Sequence, residues 1–108
     1  YLEQCQSIPV FAFCGIGQGD FFINTLKSLN ITLSSYLILK DHVKYTSSVI
    51  NRIMLRVNKL GIKTLITTEK DVVKLPDKFL SSYNIYILSM KMSFSDESLD
   101  EIFVKLKN

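Results

Sequence analysis

The hydrophobic residues of this chain form short continuous runs that alternate with segments in which apolar residues recur every three or four positions. The runs predict four strands, because a strand buried on both faces is apolar throughout. These strands are residues 9–14, 36–39, 62–67 and 85–90. Strands that alternate with helical segments predict a parallel sheet with helices on both faces.

The predicted fold is therefore α/β: a three-layer, Rossmann-like sandwich around a mostly parallel four-stranded sheet. We expect the strand order 2-1-3-4, which places the most apolar strand, residues 9–14, inside the sheet. Short strand-to-helix loops are expected at the carboxyl ends of the strands.

The first two helices have recognisable ends. The first follows a glycine-rich turn, with Asp20 as the expected N-cap and Asn30 as its end. The second begins after Thr46 and stops at Gly61, a residue type common at helix C-termini. Its apolar face is continuous for about four turns at helical spacing.

The second half of the chain is predicted to contain two further helices. A short one leads to Leu75 and is ended by Pro76, after which residues 81–82 form a polar bend. The last helix is predicted from Ser95 as N-cap through residues 96–107, with acidic residues near its start and lysines near its end.

Composition indicates one ordinary globular domain over residues 1–108, with 47% hydrophobic and 21% charged residues. The net charge of +3 is spread along the chain, so nucleic acid is not an implied partner. No apolar run approaches the roughly 20 residues of a membrane span. Cys5 and Cys14 lack metal-site spacing and are interpreted as reduced thiols. Because the chain begins at Tyr1, we expect it to be a piece of a longer protein.

Three polar loops are expected to converge at one edge of the sheet, because parallel strands share the edge that holds their carboxyl ends. The loops are residues 15–20, 40–46 and 67–71. They carry nearly all side chains with useful chemistry, namely Asp41, His42, Tyr45, Glu69, Lys70 and Asp71.

Each loop also has a purely structural interpretation. Thr68 and Asp71 have the spacing of a capping box, so they explain a helix start without any ligand. His42 follows Asp41 and is suited either to proton transfer or to fixing its own turn. Gly15 and Gly17 are not part of a G-x-G-x-x-G fingerprint, and they allow either ligand contact or a tight turn. The sequence contains no G-x-x-x-x-G-K-[ST] phosphate loop.

Three segments together resemble the C-terminal part of the tetraacyldisaccharide 4'-kinases. They are residues 10–17 (V-F-A-F-C-G-I-G), 41–46 (D-H-V-K-Y-T) and 65–75 (L-I-T-T-E-K-D-V-V-K-L). The T-E-K-D-x-V-K stretch is the most specific of them. Many members of that family have a second histidine where this chain has Val43.

The resemblance implies an enzyme that uses ATP and Mg²⁺ to phosphorylate the 4'-hydroxyl of a tetraacyldisaccharide 1-phosphate, a lipid A precursor. It implies a peripheral location at the cytoplasmic face of the bacterial inner membrane and an N-terminal P-loop domain that is absent from this sequence. This chain would form one wall of the interdomain site and would be inactive alone. No metal ligand is assigned to it.

The same resemblance carries a catalytic role onto His42, with Asp41 beside it. Substrate or nucleotide contacts are expected from Gly15, Gly17, Tyr45, Thr68, Glu69, Lys70 and Asp71. An alternative is a non-catalytic nucleotide- or partner-binding α/β module, in which the glycine loop and Asp41 bind the ligand.

Overall fold

The structure is a computed structural model that describes residues 2–92 and 99–105. In the described residues one or two helices precede each strand up to the fourth. The strands are β1 Val10–Cys14, β2 Leu33–Ile38, β3 Thr64–Thr68, β4 Asn84–Met92 and β5 Leu99–Lys105. The helices are α1 Leu2–Ser7, α2 Gly19–Ser28, α3 Ser47–Leu60, α4 Glu69–Val72 and α5 Asp77–Ser82.

The sheet has the order β2-β1-β3-β4-β5. The first four strands in this order are parallel to their neighbours, and β5 is antiparallel to β4. The predicted order 2-1-3-4 is confirmed, as is the interior position of β1, all five residues of which are buried. The prediction of four strands omitted β5.

Side chains of β1 alternate between two hydrophobic cores, as the period of a strand requires. Phe11 and Phe13 pack with α3 and α5 on one face of the sheet. Val10, Ala12 and Cys14 pack with α1 and α2 on the other face. The sheet is therefore covered by helices on both sides, which confirms the three-layer sandwich.

The two ends predicted for α3 are confirmed. The Thr46 hydroxyl accepts the Val49 N–H at 3.3 Å, and Gly61 closes the helix with a left-handed φ of 69°. The N-cap predicted for α2 is wrong, because the helix begins at Gly19 with Gln18 as its N-cap, two residues earlier than expected, and Asp20 lies in its first turn. There its carboxylate still faces the positive end of the helix dipole.

Three predictions in the second half of the chain are wrong. The short helix α4 ends at Val72 rather than at Leu75, so Pro76 does not end it. Residues 81–82 end the helix α5 rather than forming a bend, with Pro76 as its N-cap. The predicted last helix is replaced by β5, which pairs along β4 from Leu99 opposite Met92 to Lys105 opposite Tyr86. Ser95, its expected N-cap, lies outside the described residues.

The predicted last helix is replaced by β5 because of a tertiary interaction. Without β5, the backbone N–H and C=O groups along the outer edge of β4 would have no strand partner. The Ile102-Phe103-Val104 run has residue types that suit such pairing. Local helix propensity is a weak preference, and pairing along the edge of β4 overrides it.

Candidate functional site at the carboxyl edge of the sheet

The three loops predicted to converge do so. Residues 15–18 follow β1, residues 39–46 follow β2, and the β3–α4 junction lies at Thr68. Together they border an open depression of about 370 Å³. Its lining residues are Gly15, Ile16, Gly17, Gln18, Asp41, His42, Thr68, Glu69, Lys70, Lys74 and Leu88.

His42 presents its side chain to solvent beside this depression. Its imidazole is 90% exposed, and the backbone has a left-handed φ of 58°, which is uncommon for a residue with a side chain. The turn is held by the His42 N–H, which donates to the Gly15 carbonyl at 3.1 Å. The imidazole is therefore accessible to a group that approaches from outside the chain.

The neighbouring carboxylate does not fix the imidazole. His42 Nε2 lies 3.8 Å from Asp41 Oδ2, which is longer than a hydrogen bond, and the Asp41 side chain is itself 54% exposed. Asp41 and His42 thus line the depression as two exposed groups without a hydrogen bond between their side chains.

Val43 faces the opposite way from His42. Its side chain is partly buried and packs against the core between the sheet and α3. A histidine at this position would direct its ring toward apolar residues. Of positions 42 and 43, position 42 is therefore the one from which a side chain reaches the depression.

The glycine loop lies close to the side chains of the loop that follows β2. A Cβ atom on Gly15 would lie 2.2 Å from Val43 Cγ1, and one on Gly17 would lie 3.2 Å from Asp41 Oδ2. Neither glycine has a left-handed φ. Gly15 accordingly allows close packing of two loops, whereas Gly17 is exposed at the depression next to Asp41.

Asp71 lies beneath the depression rather than in it. It is 1% exposed, and its Oδ1 accepts hydrogen bonds from the Gly15 N–H at 2.9 Å and the Tyr45 hydroxyl at 2.8 Å. Its Oδ2 accepts a hydrogen bond from the Thr68 hydroxyl. One buried carboxylate thus joins residues from all three loops.

The capping interpretation of this segment is confirmed in one half. The Thr68 hydroxyl accepts the Asp71 N–H at 3.2 Å, as an N-cap should. The Asp71 carboxylate, however, accepts from the Gly15 N–H and the Thr68 hydroxyl rather than from the backbone N–H of Thr68. The reciprocal half of a capping box is replaced by a contact between loops.

The predicted site residues therefore separate into two groups. Those at the depression are Gly15, Gly17, Asp41, His42, Thr68, Glu69 and Lys70. Asp71 and Tyr45 are not among its lining residues. Four lining residues were not predicted: the apolar Ile16 and Leu88 and the polar Gln18 and Lys74. Lys74 could have been found, because it follows Lys70 by about one helical turn.

Burial raises the pKa of two acidic groups near Asp71. The pKa of Tyr45 is raised by burial, and further by its hydrogen bond to Asp71 and by the charge of that carboxylate. The pKa of the Cys14 thiol is raised to about 11, mainly by burial, although a hydrogen bond from the Ile16 backbone opposes the change. Cys5 and Cys14 are free and buried, as expected of unreactive thiols.

Comparison with known proteins identifies the family. The family model described as tetraacyldisaccharide-1-P 4'-kinase matches residues 2–107. The chain belongs to this kinase family.

Several curated relatives are named tetraacyldisaccharide 4'-kinase. The protein of Desulfotalea psychrophila is 33% identical over 96 residues, which cover 89% of this chain and 27% of the relative. That of Desulfatibacillum aliphaticivorans is 33% identical over 106 residues, or 98% and 29% of the two chains. That of Rickettsia bellii is 38% identical over 97 residues, or 88% and 29%. This chain thus spans less than a third of their length.

No solved structure matches the chain. The kinase-family segments recognised in the sequence are nevertheless the ones that build the site. Residues 10–17 supply β1 and the glycine loop, residues 41–46 supply the His42 turn, and residues 65–75 supply Thr68 to Asp71.

The described part of the chain shows neither a metal-binding cluster nor a membrane-spanning helix. Within residues 2–92 and 99–105, no three histidine, cysteine or acidic side chains lie close enough together to hold a metal ion. In the same residues, no helix has the length and apolar character needed to cross a membrane.

Proposed function

We propose that this chain is the C-terminal domain of a two-domain tetraacyldisaccharide 4'-kinase and forms one wall of its interdomain active site. The full-length enzyme would transfer the γ-phosphoryl group of ATP to the 4'-hydroxyl of tetraacyldisaccharide 1-phosphate in lipid A biosynthesis. The observation that carries the proposal is the exposed imidazole of His42, which borders the depression together with side chains from all three family segments.

The other wall would come from an N-terminal domain. The sequence has no phosphate loop of its own, and the chain spans less than a third of its relatives' length. A nucleotide cradled by a P-loop in the other domain would face the edge of the sheet that holds His42, Glu69 and Lys70.

His42 is the proposed proton-transfer residue of this wall. Attack by the 4'-hydroxyl on the γ-phosphorus forms the new P–O bond, the bond to ADP breaks, and the hydroxyl proton must leave. An imidazole can assist a base supplied by the other domain, because imidazole exchanges protons near neutral pH. The exposure of the His42 ring supports this role, since the ring is accessible to a substrate hydroxyl.

The lysines at the depression are proposed to bind phosphate. Phosphoryl transfer depends mainly on positioning and on stabilisation of charge on the phosphoryl oxygens. Lys70 and Lys74 have no ion-pair partner within 4.0 Å among the described side chains, so their charges are available to an anion. Glu69 and Asp41 would orient these lysines or a sugar hydroxyl.

Magnesium is not assigned to this chain. No three histidine, cysteine or acidic side chains of the described residues lie close enough together to form a metal cluster. In kinase sites Mg²⁺ is usually held by one or two carboxylates together with waters and substrate phosphates. We place its protein ligands in the other domain, beside the phosphate loop, and no step attributed to this chain depends on the ion.

The proposed location is the cytoplasmic face of the bacterial inner membrane, with peripheral attachment. The substrate carries four acyl chains and remains in the bilayer, so the enzyme must work at its surface. A net charge of +3 favours approach to an anionic membrane, although the charge alone is small.

The proposal is tested by assaying phosphoryl transfer from ATP to tetraacyldisaccharide 1-phosphate. The full-length protein should form the 4'-phosphate, whereas the chain described here should fold yet show no turnover. Absence of transfer by the full-length protein would refute the kinase assignment.

The second candidate, a nucleotide-binding module, is supported by the proximity of Gly17 to the Asp41 carboxylate. ATP binding by this chain alone, tighter than about 1 µM, would favour it over one wall of a shared site.

A further inference from the structure

We propose that Asp71 is a positioning residue that sets where His42 stands in the active site. It does so by holding the glycine loop and the His42 loop in one fixed arrangement. The inference rests on the proposed function for its kinetic consequences, and on the contacts of Asp71 for its structural ones.

The first connection runs through Gly15. The Gly15 N–H donates to Asp71 Oδ1 at 2.9 Å, and the carbonyl of the same residue accepts the His42 N–H at 3.1 Å. Gly15 is therefore bonded on one side to the buried carboxylate and on the other to the histidine. Displacing Gly15 moves the backbone hydrogen bond that holds the left-handed turn at His42.

The second connection runs through Tyr45. Its hydroxyl donates to the same oxygen, Asp71 Oδ1, at 2.8 Å, and its ring packs edge-to-face on Phe13 at a centroid distance of 6.1 Å. Tyr45 follows His42 by three residues and precedes the start of α3. One carboxylate oxygen thus holds the His42 loop at two points, indirectly at His42 through Gly15 and directly at Tyr45.

Asp71 has no route to a ligand of its own. It is 1% exposed, while the adjacent Glu69 and Lys70 are open to solvent. A buried carboxylate is costly unless hydrogen bonds satisfy it, and this one accepts three, from Gly15, Tyr45 and Thr68. No cationic side chain among the described residues lies within 4.0 Å of it.

The protonation state of Tyr45 suits its role as a hydrogen-bond donor to Asp71. Tyr45 must stay neutral to donate its proton, and both burial and the nearby Asp71 charge raise its pKa. The hydroxyl therefore remains a donor at any pH at which the enzyme would work.

Two substitutions of Asp71 distinguish a role as hydrogen-bond acceptor for both loops from a role of its negative charge in the reaction. Asp71→Ala removes the acceptor for both loops. Asp71→Asn keeps a carbonyl oxygen that can accept from Gly15 and Tyr45, while its amide N–H can donate to Thr68 Oγ1. Asp77→Asn, on the exposed first turn of α5, is the matched control.

In the full-length enzyme, Asp71→Ala should lower kcat by at least about ten-fold with little change in KM. Asp71→Asn should restore most of this loss, and Asp77→Asn should match the wild type. Adding Asp71→Ala to His42→Ala should cost far less than Asp71→Ala alone, because the two residues would act as one unit. An Asp71→Asn enzyme as impaired as Asp71→Ala would show that the charge itself is needed and would overturn the proposal.

A second readout does not depend on activity. His42 is the only histidine of the 108 residues, so the NMR signal of its Cε1–H proton can be followed without assignment. Tyr45→Phe and Asp71→Ala should shift this signal in the folded chain, and Asp77→Asn should not. Should Asp71→Ala fail to fold, Tyr45→Phe, which leaves the carboxylate and its Gly15 bond in place, decides the question.

An unchanged His42 signal in folded Tyr45→Phe and Asp71→Ala, with normal kcat, would reduce Asp71 to a stabilising residue. Failure of the proposed function looks different. The wild-type full-length protein would then lack kinase activity, while the NMR comparison would still report whether Asp71 positions His42.

Discussion

Gly15 and Val43 are in such close contact that a Cβ atom on Gly15 would lie 2.2 Å from Val43 Cγ1. The loop after β1 and the loop after β2 are therefore packed backbone against side chain. This contact turns Val43 toward the core, while His42, its neighbour, extends into solvent beside the depression. The direction of the candidate catalytic side chain thus depends on a glycine that contributes no side chain of its own.

Adding a methyl group at Gly15 should destabilise the fold. Gly15→Ala forces Val43 or the loop to move, and overpacking of this kind typically costs about 1–3 kcal/mol. Gly17→Ala is the matched control, because there the nearest atom, at 3.2 Å, is the end of the exposed Asp41 side chain. The free energy of unfolding, measured by urea denaturation, should fall for the first variant and change little for the second. Equal stability of the two variants would contradict the packing described.

Stability should decrease with pH above about 9, in part through Cys14. Burial raises the pKa of its thiol from 9.0 to about 11, so between these values the unfolded chain releases a proton that the folded chain retains. The unfolded state is then favoured as pH rises, and the stability present below pH 9 is lost up to about pH 11.

Cys14→Ala should therefore make the free energy of unfolding less dependent on pH in this range. Urea denaturation at pH 8 and pH 10.5, in the presence of a reductant, measures the difference. Cys5, whose pKa is also raised to about 11, should behave alike. The same pH dependence in the wild type and the variant would mean that Cys14 ionises as readily folded as unfolded.

Sequence patterns predicted the parallel part of the sheet correctly because the signals for its strands and helices lie in neighbouring residues. A short, fully apolar run such as Val10–Cys14 is typical of a strand covered on both faces. Thr46 and Gly61 mark the ends of α3, the first through its side-chain hydroxyl and the second through its left-handed backbone. The convergence of the three loops then followed from the shared edge of parallel strands.

The rest could not be predicted because it depends on partners distant in sequence. Helix signals near residues 95–107 gave no indication that β4 offers an edge for β5. Asp71 has the spacing of a capping residue, but its carboxylate accepts from Gly15, 56 positions away. Nothing in the sequence distinguishes a buried Asp71 from the exposed Glu69 beside it.

The lysines of the depression should contribute to phosphate binding and not to stability. Lys70→Ala and Lys74→Ala should each lower kcat/KM of the full-length enzyme by about ten-fold, because each removes an exposed cation that would face the transferred phosphate. Lys63→Ala is the control, since Lys63 is equally exposed but precedes β3 at the opposite edge of the sheet. Steady-state kinetics with varied ATP give kcat/KM, and thermal unfolding of each variant gives its stability. If Lys63→Ala causes the same loss as the other two, the effect is one of overall charge.

The most direct test of the account is the kcat of His42→Ala in the full-length enzyme, with Lys44→Ala as the control from the same exposed loop. The expected result is a fall in kcat on the order of ten- to a thousand-fold, because a proton-transfer group acts mainly in the transition state. KM and thermal stability should stay close to those of the wild type, and Lys44→Ala should be near normal. A folded His42→Ala enzyme with wild-type kcat would contradict the account and would leave His42 as a residue that only shapes its turn.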